Sequence, residues 1–149
     1  MVSLGTVTSS NIISQVWDNI YSLINTIPDP ANRGISWILS AFPQERKGTA
    51  DVYPMIVIDS PDAKGENLTF SHTKRQYTWR IPIGVYATRM ETVDGMSNTV
   101  ITTLNNNRAS IETRGMNMLD VESTPTFHPI IGGQVIHEKR INVTVVGYV

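Results

Sequence analysis

Apolar positions along the chain follow two periods, and each change of period marks a change of element. Ile12, Ile13, Val16, Trp17, Ile20, Leu23, Ile24 and Ile27 recur at helical spacing, with Asn11, Ser14, Gln15, Asp18, Asn19, Ser22, Asn25 and Thr26 between them. A single stripe of that kind predicts an amphipathic helix over residues 11–27. Ser9 or Ser10 is placed to cap its start by accepting from a free backbone N–H. Pro28 and Pro30 stop it, because proline has no N–H to give and clashes with the preceding turn. After an irregular stretch, residues 35–42 are apolar on both alternating faces, which predicts a buried strand, with a short helix as the alternative. Residues 43–51 read as a polar loop. Met55, Ile56, Val57 and Ile58 form a β-branched run within a predicted strand over 52–59. Residues 60–67, with Pro61 and Gly65, read as an exposed turn-rich loop.

Alternation then becomes strict. Tyr77, Trp79, Ile81, Ile83, Val85 and Ala87 share one face, and Thr78, Arg80, Pro82, Gly84, Tyr86 and Thr88 share the other. This predicts a long strand, half buried and half wet. Pro82 cannot donate to a ladder and predicts an edge position or a bulge; Gly84 fits a bend. Thr88 and Glu91 have the spacing of a capping box, and Val93, Met96, Val100, Ile101 and Leu104 continue as a helix to about Asn106. Residues 115–121 read as extended and 122–133 as a loop holding Pro125, Pro129, Gly132 and Gly133. A terminal strand over 134–148 places Val135, His137, Lys139, Ile141, Val143 and Val145 on one face.

This order predicts one α+β domain over residues 1–149, a mostly antiparallel sheet with two amphipathic helices packed on one face. Its longest strands exceed the usual five or six residues, so strand ends or loops should project. Projecting edges seek partners, which favours an oligomer.

Composition narrows the chemistry. The 149 residues include no Cys, which excludes a disulfide scaffold, a thiolate nucleophile and a Cys-based zinc site. Net charge is −1, which excludes a generally basic nucleic-acid binder. No apolar run approaches the ~18–20 residues of a membrane span, and residues 1–6 lack the basic-then-apolar order of a secretion signal. Phosphate-binding, dinucleotide, nucleophile-elbow and zincin motifs do not occur. His72, His128 and His137 show no metal-ligand spacing, so neither a metal nor a cofactor is expected. Asp51 followed by Asp62 and Lys64 is the one arrangement compatible with catalysis. Metal-dependent nucleases place an Asp and a D/E-x-K pair on adjoining strands, where two carboxylates hold Mg²⁺ and the Lys steadies developing charge. Asp62, between Pro61 and Gly65, reads instead as part of a solvated turn. Lys74, Arg75, Arg80 and Arg89 interleave with Tyr77 and Trp79, as in a single-strand binder, but alternation puts both aromatics on the apolar face, opposite Arg80.

The order of elements resembles tail terminator and tail completion proteins of long-tailed viruses. The resemblance rests on the amphipathic start at residues 11–27, on Phe42-Pro43 leading to Tyr53-Pro54-Met55-Ile56-Val57-Ile58-Asp59, on the long strand at residues 77–87, on the helix after it, and on two closing strands ending at Ile141-Asn142-Val143-Thr144-Val145-Val146. It implies a structural virion protein without catalysis, assembled in the host cytoplasm and sited at the head-proximal end of the tail. Such a protein forms a ring, commonly a hexamer, on the tail tube protein. It ends tube growth and meets the head-side connector protein, while genome DNA passes through the lumen without specific binding. A connector or stopper subunit, a metal-dependent nuclease and a monomeric binding module are the alternatives. A ring needs two different patches on each copy. The candidates are Asp62, Lys64, Glu66, Arg75 and Arg80 in and beside the 61–73 loop, and Phe127, His128, Ile130 and Ile131 in the 122–133 loop. The apolar members of the second loop either mark an interface or fold back onto the chain's own core.

Overall fold

A computed structural model describes residues 3–8, 10–33, 36–41, 53–67, 75–131 and 133–148, with the backbone alone at 66, 67 and 118. Among the described residues three helices, α1 (Ile12–Ile24), α2 (Met90–Asn106) and α3 (Arg108–Glu112), accompany eight strands. These are β1 (Ile38–Leu39), β2 (Met55–Ile58), β3 (Asp62–Asn67), β4 (Arg75–Ala87), β5 (Met118–Ser123), β6 (Ile130–Ile131), β7 (Gln134–Val135) and β8 (His137–Tyr148). The α+β class with a dominant sheet is as the sequence predicts.

Alternation in β4 sets the layering. Trp79, Ile81, Ile83, Val85 and Ala87 are all buried, as are Ile141, Val143 and Val145 of β8. The two strands are antiparallel neighbours from Gln76↔Tyr148 to Ala87↔His137. Val16, Ile20, Leu23 and Ile24 of α1 and Val93, Met96, Val100 and Leu104 of α2 join that face in one core. Main-sheet order is β1-β2-β4-β8-β5, with β3 also on β4. All pairings are antiparallel except β1 with β2, where Ile38 lies beside Ile56.

Several expectations are corrected. Residues 62–67 form β3, a strand rather than a loop. It pairs with the first half of β4, from Asp62↔Arg80 to Asn67↔Arg75, while β2 pairs with the second half. The two follow one another along the same edge. Pro82 is therefore inside the sheet. Its carbonyl accepts from Asp59 N at 3.0 Å, and the nitrogen of a strand residue points the same way as its carbonyl. The missing N–H thus faces the connection between β2 and β3, where no ladder donor is needed. Gly84 makes room for the Tyr86 ring, which a Cβ there would meet at 2.7 Å.

The predicted caps give way to other contacts. Helix α1 starts after Asn11, whose Oδ1 accepts from Thr8 N at 2.6 Å, rather than after Ser10, and Ser9 lies outside the described residues. Helix α2 starts after Arg89 without a side-chain cap, and Glu91 pairs with Arg89 at 3.4 Å instead of closing a box on Thr88. Helix α1 also stops at Ile24; Thr26 and Ile27 donate back three residues in a tighter turn. Of residues 35–42, only Ile38–Leu39 is strand among the described residues, and Phe42 and Pro43 lie outside them.

Two polar side chains fix irregular segments. Asn19, read from sequence as solvent-facing, is 1% exposed. Its Oδ1 accepts from Gly5 N at 2.9 Å and its Nδ2 donates to Gly5 O at 2.8 Å, docking the N-terminal segment on α1. Asp29 organises the turn after α1 by accepting from Ala31 N, Arg33 N and the Arg33 guanidinium. Arg33 also reaches Pro54 O at 2.6 Å, joining that turn to the start of β2. The guanidinium and backbone donors lower the Asp29 carboxyl from 3.8 to about 2, against a smaller opposing effect of burial.

Asn19→Ala removes the partner of both backbone polar groups of the half-buried Gly5. It should destabilise the fold by about 1–3 kcal/mol in urea denaturation. A carboxyl whose folded pKa is depressed contributes stability that is complete above its unfolded value and lost as pH falls through the folded one. The stability difference between wild type and Asp29→Asn should therefore be constant above about pH 4 and shrink towards pH 2.

Candidate assembly surface

Beyond Ser123 the outgoing strand does not become a loop. Thr124 N donates to Arg140 O at 2.9 Å, Phe127 and Glu138 exchange both backbone bonds at 2.7 and 2.8 Å, and Ile136 N donates to Pro129 O at 2.8 Å. Beyond them Ile130 pairs with Val135 and Ile131 with Gln134. The register moves by one between Ser123↔Ile141 and Phe127↔Glu138. One extra residue thus lies on the outgoing side around Pro125, which is a bulge. Residues 124–140 are therefore a hairpin arm that prolongs β5 and β8. Its last pair is Ile131 with Gln134, and Gly133 beside it takes φ +78°, which glycine adopts without strain.

The arm has an anchored face and a bare one. Ile136 is fully buried, and it forms a second core with Tyr53, Met55 and Val57 on the side of the sheet away from the helices. Leu39, Tyr86 and Ile131 pack around that core. On the bare side Ile130 is 74% exposed and Val135, its partner, 48%; Phe127, opposite Glu138 on the other face, is 51% exposed beyond the reach of that core. Both readings of this loop thus apply, to different residues: Ile131 folds back, while Ile130 faces outward and Phe127 stays exposed. At the base, Tyr86 Oη donates to Glu138 Oε1 at 3.3 Å and Arg140 Nε donates to the same atom at 2.9 Å. Burial and the Glu138 charge push the Tyr86 hydroxyl up to about 12, and the carboxylate strengthens the Arg140 charge. His128 and His137 face each other with Nδ1 atoms 2.7 Å apart.

The other candidate residues lie elsewhere. Asp62 and Lys64 of β3, with Thr78 and Arg80 of β4, line a polar cavity of about 220 Å³ on the wet face. Glu66 follows on β3 opposite Gln76. Arg75 begins β4 with its guanidinium 5.5 Å above the Tyr77 ring. Ala87, level with His137 inside the arm, lies seven positions along β4 from Arg80, or roughly 23 Å at the usual rise. Two separate patches therefore result, one polar and one apolar. Loop residues 68–73 fall outside the described residues.

The placement of Asp62 on a strand removes the turn-based argument against the D-x-K arrangement. Asp51 lies outside the described residues, and among those described no three His, Cys, Asp or Glu side chains converge as a metal site. Trp79 is wholly buried and Tyr77 stacks on it at 5.8 Å, so the aromatics between the arginines are core rather than a base-stacking platform. No helix of the described residues is long and apolar enough to cross a membrane.

No protein-family model matches the chain, and no curated protein matches it. Among solved structures it is similar to a chain of a virion of a native gene transfer agent (GTA) particle. The TM-score is 0.54 at 7% identity, covering 90% of this chain and 95% of that one. The two share a fold over nearly their full lengths.

The anchored and bare faces of the arm should separate in mutagenesis. Ile131→Ala should destabilise the fold by about 1–2 kcal/mol, less than a full core truncation because Ile131 is only half buried. Ile130→Ala should stay within about 0.5 kcal/mol of wild type. Urea midpoints of the two variants decide this.

Proposed function

We propose that the chain is a non-catalytic structural virion protein that closes into a ring, a hexamer, on the head-proximal end of a tail tube. There it ends tube polymerisation and presents a surface to the head-side connector. The observation that carries this reading is the hairpin arm. Ile130 and Val135, paired on its bare face, and the exposed Phe127 on the opposite face near its foot project from a domain that shares its fold with a virion chain. An apolar patch of that kind on an otherwise well-buried domain is the signature of an interface. The polar patch at Asp62, Lys64 and Arg80 is chemically different and lies apart from it. A closed ring needs two unlike surfaces on each copy.

Near-neutral charge suits a lumen through which DNA must slide, since affinity for phosphate grows with the number of cations that neutralise it. The ring would act by occupying the growing end of the tube, and no bond need be made or broken.

Adding the purified chain to polymerising tail tube protein should shorten the tubes and leave a ring at one end. Ile130→Asp, which keeps the fold, should lose this capping. Unchanged tube lengths with wild-type protein would refute the terminator role. Binding to isolated connector in that case would support a connector or stopper subunit.

A further inference from the structure

The hairpin register places His128 and His137 directly opposite each other. Phe127↔Glu138 is a hydrogen-bonded pair, so the next position along is a non-hydrogen-bonded one, where facing side chains approach most closely. The two rings are nearly perpendicular, at 85° with centroids 4.8 Å apart, and their Nδ1 atoms are in contact at 2.7 Å. In the metal-free pair one Nδ1–H donates to the other Nδ1. Neutral imidazole nitrogens so arranged are a preformed bidentate donor set. A zinc ion with bonds of about 2.0–2.1 Å holds two nitrogens roughly 3.3 Å apart at a tetrahedral angle. Side-chain rotations opening the contact by roughly 0.6 Å would therefore admit it.

We propose that His128 and His137 form a two-imidazole chelate for a borderline divalent transition-metal ion, Zn²⁺ or its imidazole-preferring neighbours, at the base of the hairpin arm. No third His, Cys, Asp or Glu converges there among the described residues, so water completes the coordination. His128 is exposed and His137 half-buried, which leaves an entry path. On binding, both rings take the tautomer with the proton on Nε2, and the Nδ1 proton of the former donor passes through solvent to its own Nε2. The neighbouring charges permit a cation. Lys139, two residues along the same face, is held by Asp94 at 3.1 Å, and Arg140, on the other face, is held by Glu138 at 2.9 Å. The bound ion would tie the two strands of the arm together below its apolar tip. This site is independent of the ring reading.

The test is calorimetric titration of the full chain with Zn²⁺ at neutral pH, paired with NMR of the histidine rings. We expect saturable binding of one ion per chain with shifts at His128 and His137. Either His128→Gln or His137→Gln should weaken binding at least as much as the roughly 10–100-fold that loss of a supporting partner costs a metal site. His72→Gln should bind as wild type does. No saturable binding, or binding that survives both arm substitutions or is lost in His72→Gln, would overturn the proposal. The two arm substitutions replace polar side chains at the surface, and unchanged urea midpoints would show that the fold is retained.

Discussion

The antiparallel pairing of β4 with β8, from Gln76↔Tyr148 to Ala87↔His137, is the constraint on which the rest of the structure depends. A strand sorts its side chains to opposite faces by parity, and a slip of one residue would exchange the faces. With Trp79, Ile81 and Ile83 level with Val145, Val143 and Ile141, one face becomes a continuous apolar floor for α1 and α2. Wet-face positions are thereby fixed as well. Gly147 shows how closely the layers fit, since a Cβ there would run into the carbonyl of Gly115 and the ring of Trp79. Strand length has a second effect. At twelve and thirteen residues, β8 and β4 run well beyond the usual five or six. The excess becomes the attachment for both candidate patches, β3 towards one end and the hairpin arm at the other.

The arm solves a packing problem created by β2. Its four residues are buried on both faces, so Met55 and Val57 need cover on the side that the helices do not reach. Residues 129–136 supply it through Ile131 and Ile136, with Tyr53 and Leu39 beside them. The same alternation that points Ile131 inward sends Ile130 outward. An apolar residue outside is thus the geometric companion of the anchor within, and its chemical identity, Ile rather than a polar residue, is what calls for a partner. The His128–His137 pair lies between this tip and the Tyr86–Glu138–Arg140 cluster, so the arm carries apolar, imidazole and charged groups in succession along its length.

Much of this was legible in the sequence wherever a period ran long enough to be unambiguous. The stripe of α1, the alternation of β4 and β8 and the spacing of Val93, Met96, Val100 and Leu104 led directly to the layer arrangement. Misreadings came from residues whose local preference was overridden by long-range pairing. Pro61 and Gly65 marked β3 as a turn, yet β4 offers an open edge that recruits it. Pro82 suggested an edge because the gap between β2 and β3 cannot be seen in sequence. Asn19 looked solvent-facing because its partner, the backbone of Gly5, is itself irregular. The hairpin had a local signal in the Gly132-Gly133 pair between apolar runs, but two prolines obscured it. The histidine pair had none, since residues nine positions apart come into contact only through the hairpin register.

The central claim is that the bare face of the arm and a second, different surface close copies of this chain into a ring. The native mass of the full chain in solution, measured by light scattering over a wide concentration range, tests it most directly. The account predicts a single closed species near six times the 16.6 kDa chain mass. A mass of one chain at every concentration, or open-ended polymers of no fixed size, would contradict it.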